Sequence, residues 1–169
     1  MSSESPSTEL TIDKAELSSG QDILFTPEWI PDTGHSVIKI GVYVGAVRVY
    51  GEFGRAVAAR LHTVTEHRSG AVVTHVSAPD AWYFLTEPGA GAGLRWPPGV
   101  KLLGVERDDY LGIPALTGPT APYAWWAAPT HEAPLVDPST LHTVCCALSA
   151  WQLGRSAATT GRAAAGGTT

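Results

Sequence analysis

His62, Glu66 and His67, in the string HTVTEH, place three metal-ligating side chains close together, with His62 and Glu66 at the i, i+4 spacing of one helix face. A zinc-hydrolase helix needs a second histidine four residues after the first and a glutamate beside the first. The order here is His-x-x-x-Glu-His, which suits a solvated helix end better than a ligand set. Cys145 and Cys146 are the only cysteines, and neighbours on a helix point in different directions. They read as small helix residues, since no second cysteine cluster completes a tetrahedral site. Neither Ser69 nor Ser77 stands in a Gly-x-Ser-x-Gly elbow, and GAGAG at Gly89 to Gly93 follows a proline and ends in no Lys-Ser or Lys-Thr, so it reads as a hairpin loop.

The elements that must position these residues can be read from periodicity. SVIKIGVYVGAVRVYG has β-branched residues at Ile38, Ile40, Val42 and Val44, then at Val47 and Val49, which predicts two strands with a break near Gly45. From Glu52 the period changes: Phe53, Val57, Leu61 and Val64 make one apolar face of a helix that ends by RSG. AVVTHV and AWYFLTEP predict a hairpin across SAPD. GVKLLGV and DYLGIPAL follow as strands, then YAWW as a short last one. Asp137 is placed to cap a closing helix with Pro138 at its first position and Leu141, Val144, Leu148 and Trp151 as its stripe. Strand, helix, a mostly antiparallel group of strands and a final helix make an α+β domain with helices packed on the sheet.

The 169 residues and 44% hydrophobic content fit one small domain, expected at residues 21–154. Residues 1–20 are Ser-rich and mixed in charge, with too few large apolar groups to offset ordering entropy, and are expected as a disordered arm. Residues 155–169 are expected as a disordered tail of Ala, Gly and Thr. A net charge of −5 gives no global footprint for a polyanion. No apolar run approaches the roughly 20 residues needed to span a bilayer, and a basic-then-apolar leader pattern is missing, so no membrane partner and a cytoplasmic location are expected.

In the order of its elements, the stretch 37–151 resembles the primase-polymerase domain of the archaeo-eukaryotic primase superfamily, especially bacterial proteins of the bifunctional DNA primase/polymerase type. The likeness is carried by AVRVYGEFGRAVAARL, SAPDAWYFLTEPGAG, PPGVKLLGVERDDYLGIPALTGP with its later strand pair, and YAWWAAPTHEAPLVDPSTL. The family's chemistry, nucleotidyl transfer, uses two divalent metals held by carboxylates. Its Asp-x-Asp motif matches Arg48 and Tyr50 here, its histidine falls on Trp82, and its later aspartate on Leu103 or Gly104. Arginine cannot ligate Mg²⁺, and its fixed charge repels the ion. The resemblance therefore implies the family's fold with degenerate catalytic positions, no metal cofactor, and a binding role in a DNA replication-associated assembly. One alternative is a small DNA primase/polymerase whose acidic site has moved to Glu52, Glu106, Asp108 or Asp109, with Mg²⁺ or Mn²⁺ as cofactor. Another is a single-stranded nucleic-acid-binding module.

For a binding role the candidate residues are Arg48, Tyr50, Arg55, Trp125 and Trp126. Adjacent aromatics on a strand face opposite ways, so one of Trp125 and Trp126 fills the core and the other looks outward. An outward tryptophan and a net charge of −5 that opposes a polyanion make a protein the expected partner, with single-stranded nucleic acid as the alternative. Arg48, Arg55, Arg60 and Arg68 beside it would suit a single-stranded nucleic acid.

Overall fold

The change of period at Gly51 is realised in the structure, a computed structural model that describes residues 25–76 and 80–164. Strand β1 (His35–Lys39) is followed by β2 (Gly45–Tyr50), and the chain turns directly into α1 (Gly51–Val64). Gly51 makes that turn at φ 59°, a value that costs glycine nothing. Then come β3 (Val72–His75), β4 (Ala81–Thr86), β5 (Val100–Leu103), β6 (Tyr110–Pro114), β7 (Tyr123–Ala127) and α2 (Pro138–Ala164). The fold is α+β, and every strand pair is antiparallel. Among the described residues no helix is long and apolar enough to cross a membrane.

Three layers result. The central five-stranded sheet has the order β5-β2-β4-β3-β7, and β1 pairs with β6 in a separate two-stranded ribbon. One face of the central sheet, with Val47, Val49, Val72 and Phe84, packs on Val57 and Leu61 of α1 and on Leu141, Val144 and Cys145 of α2. Its other face, with Ala46, Val73 and Leu85, packs on Leu111 and Ile113 of the ribbon.

Several sequence expectations change here. The first strand stops at Lys39, because Gly41 at φ 95° turns the chain and its N–H donates to the Val44 carbonyl 2.7 Å away. The strands β5 and β6 do not pair with each other; Gly104, at φ 75° and donating to Asp109 Oδ2 at 3.0 Å, turns the chain from one sheet to the other. β3 and β4 pair as expected, while their connection at 77–79 lies outside the described residues, as do the N-terminal arm and residues 165–169. Helix α2 continues through Ala164, so residues 155–164 are helical where a disordered tail was expected. Alanine, the best helix former, carries the helix past Gly154 and Gly161.

The start of α2 is as read: Asp137 Oδ2 accepts from Thr140 N–H at 2.8 Å and from its hydroxyl at 2.6 Å. Asp137→Ala is expected to cost about 1 kcal/mol, measurable as a lower urea midpoint with an unchanged slope.

Candidate functional site

Because side chains alternate along β2, Val47 and Val49 point to the helices while Ala46, Arg48 and Tyr50 share the ribbon face. The ribbon covers Ala46, which is fully buried. Beyond the ribbon's cover, Arg48 is half-buried and Tyr50 is 42% exposed. Register then gives Arg48 its neighbours. Lys101 stands opposite it on β5 and Tyr83 opposite it on β4. The next row on this face runs from Tyr50 through Ala81 and His75 to Tyr123. The His75 and Tyr123 rings lie 4.7 Å apart, with His35 of β1 5.3 Å from Tyr123.

The guanidinium of Arg48 sits 4.8 Å over the Tyr50 ring, a cation–π contact. Its Nε is buried with no hydrogen-bond partner among the described residues. Neither Arg48 nor Lys101 makes an ion pair among the described residues. Burial pushes the Tyr83 hydroxyl above its ordinary pKa, with the charge and hydrogen bonding of Arg48 pulling the other way. Tyr83 therefore stays neutral beside Arg48. The result is a strip of two adjacent positive charges and two tyrosines on an open sheet face.

The other positions read from the sequence fall elsewhere. Trp82 faces the helices, 6% exposed, in the first core, where a Cβ on Gly54 would meet its ring at 2.5 Å. Tyr83, one residue on, is the β4 side chain on the Arg48 face. Leu103 is on that face but buried at 4% exposure beneath the ribbon, in register with Ala46. Arg55 belongs to α1, on the opposite side of the sheet, and lies 3.7 Å from Glu52 and 3.9 Å from Asp80. Arg48 and Arg55 thus form no common patch. Trp125 packs inward, its Nε1 donating to the Ala115 carbonyl at 3.1 Å. Trp126 is the extra residue of a bulge in β7, 37% exposed, 6.0 Å from Trp82 and 5.4 Å from His62. Lys101, the second cation of the strip, carried no sequence signal, since only the β2–β5 register brings it to Arg48.

The family's metals do not fit this strip, which offers cations where carboxylates are needed. Of the acids considered for a displaced site, three are held locally. Glu52 is in the first turn of α1, Asp108 pairs with Lys39 at 2.8 Å, and Asp109 pairs with Arg107 at 3.4 Å. Among the described residues no group of three His, Cys, Asp or Glu side chains is arranged to hold a metal. His62 and His67 do approach, with rings 4.4 Å apart, while Glu66 pairs with Arg68 at 3.6 Å.

Cys146 Sγ lies 3.5 Å from His142 Nε2, a nitrogen also 2.9 Å from the Arg95 carbonyl. Bonding to that carbonyl requires a hydrogen on Nε2, so the ring is not placed to take the thiol proton. Burial pushes Cys145 to about 12. A thiol reagent at neutral pH is therefore expected to label Cys146 in the native protein and to reach Cys145 only on unfolding, as peptide mapping would register.

Compared with protein-family models, curated proteins and solved structures, the chain matches none.

Proposed function

We propose that this chain is a primase-polymerase-like domain that acts by binding, and that its open sheet face takes single-stranded nucleic acid. The observation carrying the reading is the side-by-side placement of Arg48 and Lys101, with no carboxylate partner among the described residues, next to Tyr50 and Tyr83. Like charges opposite each other on neighbouring strands are destabilising. An anion bound between them reverses that sign. A phosphate on the cations with a base stacked on the exposed Tyr50 ring is the usual partnership of single-strand binders.

The overall charge does not oppose this. Residues 1–24 hold Glu4, Glu9, Asp13, Glu16 and Asp22 against Lys14, a formal −4 of the total −5. The rest of the chain, at −1, is close to neutral. Two phosphate contacts imply that log affinity falls with log salt at a slope of about −1.4, a titration that a labelled oligonucleotide would measure. Nucleotidyl transfer is not expected. Supplied with primed template, nucleotides and Mg²⁺ or Mn²⁺, the protein should leave the primer unextended. Extension abolished by Glu52→Ala would instead establish the displaced acidic site.

A protein partner is a second reading, favoured by Trp126. It stands on the edge strand β7, where an added strand could pair, and its ring is partly exposed. Loss of a protein partner on Trp126→Ala, with little salt dependence, would support that reading over the nucleic acid.

A further inference from the structure

Helix α2 outruns the element that covers it. α1 has 14 residues and α2 has 27, so at 1.5 Å per residue they are about 21 Å and 40 Å long. The apolar stripe of α2 therefore passes from Val144, 5% exposed, to Trp151, 57% exposed. Between the helices lies a groove of about 670 Å³ lined by Arg60 and Val64 of α1 and by Val144, Ala147, Leu148 and Trp151 of α2. Its surroundings are cationic. Arg60 makes no ion pair among the described residues, Arg155 stacks on Trp151 at 4.6 Å, and α2 contains no Asp or Glu.

We propose that this groove is the seat of the chain's own N-terminal segment, residues 8–17. That segment, TELTIDKAEL, sets Leu10, Ile12 and Leu17 among Glu9, Asp13 and Glu16. It matches the groove in both apolar character and sign of charge. Alone it has too little apolar surface to offset its ordering; the groove supplies the complementary surface.

The point of entry suits the geometry. Phe25, the first described residue, packs edge-on against His131 at 5.8 Å. The flanking Thr130 and Ala133 line a small cleft with His67, Arg68 and Gly70, just past the end of α1 to which Val64 belongs. Seven residues lie between Leu17 and Phe25, and the eight steps from one to the other reach up to about 28 Å, longer than α1. Tethering of this kind gives an effective concentration in the millimolar range, so modest contacts suffice. A second copy of the chain is a poorer occupant: α2 has no Asp or Glu to meet the Arg60 of another copy.

The test is amide hydrogen exchange on the full chain, unaltered and as the surface variants Trp151→Asp and Arg60→Glu. Docking predicts that exchange at residues 8–17 is slowed roughly tenfold relative to either variant. The slowing should shrink at 1 M salt, where screening reaches about 3 Å, and should be independent of protein concentration. Exchange at the core strands, unchanged in both variants, reports that they remain folded. Unprotected residues 8–17 in the unaltered chain, or protection that survives both variants, would overturn the proposal. Protection that disappears on tenfold dilution would assign the groove to another copy and overturn it equally.

Discussion

Gly70→Ala is expected to lower the unfolding free energy by about 2–5 kcal/mol, against about 1–2 kcal/mol for Gly34→Ala. Both glycines have positive φ, 81° and 64°, so both substitutions carry the strain of a left-handed residue with a Cβ. Their surroundings differ. A Cβ on Gly34 meets nothing within 4 Å, whereas one on Gly70 would run into the Leu135 carbonyl and the Val136 nitrogen. Those atoms cannot give way cheaply. Val136 N–H donates to the Leu85 carbonyl at 2.7 Å and Leu85 N–H to the Ala71 carbonyl at 3.0 Å, tying the β7–α2 connection to the sheet at this crossing. The difference between the two variants isolates the packing term, and paired urea titrations would measure it. Equal losses would mean that the connection at Leu135 and Val136 yields to a methyl group.

What could be read in the sequence was what local chemistry decides. The switch of period across Gly51 gave β2 and α1, and Asp137 followed by Pro138 gave the start of α2, because capping and alternation act within a few residues. Pairing acts over long separations and was not legible. Nothing near Lys101 says that it faces Arg48, or that β5 and β6 part into different sheets. A strand's period of two makes position matter to the single residue: Trp82 faces the helices, and Tyr83, one residue on, faces the Arg48 side. The β7 bulge is similarly silent: alternation said that one of Trp125 and Trp126 faces inward and the other outward, and only the fold says that Trp125 is the inward one. The length of α2 was missed because Ala-rich sequence reads as low complexity until a helix is already there to extend.

The proposed strip makes a prediction in which binding and stability move in opposite directions. Arg48→Glu is expected to weaken single-strand binding by 10- to 100-fold or more, since a hydrogen bond to a charged group contributes about 1.5–3 kcal/mol and the new carboxylate repels the phosphate held by Lys101. The salt slope should fall from about −1.4 to about −0.7 as one contact is lost. Tyr50→Ala should weaken binding by about 1–3 kcal/mol through lost stacking while leaving that slope unchanged. Folding should respond differently. Arg48 carries a buried Nε with no hydrogen-bond partner among the described residues and faces Lys101 across the β2–β5 register. Arg48→Met keeps a long apolar stem and removes both the orphaned donor and the like-charge contact, so it should leave the fold as stable or raise stability by about 1 kcal/mol. A side chain kept for packing shows the reverse pattern, with stability lost and ligand affinity untouched. Binding of a single-stranded oligonucleotide that is equally tight in the wild type, Arg48→Glu and Arg48→Met proteins would remove the sheet face from consideration, because no phosphate could then lie on Arg48.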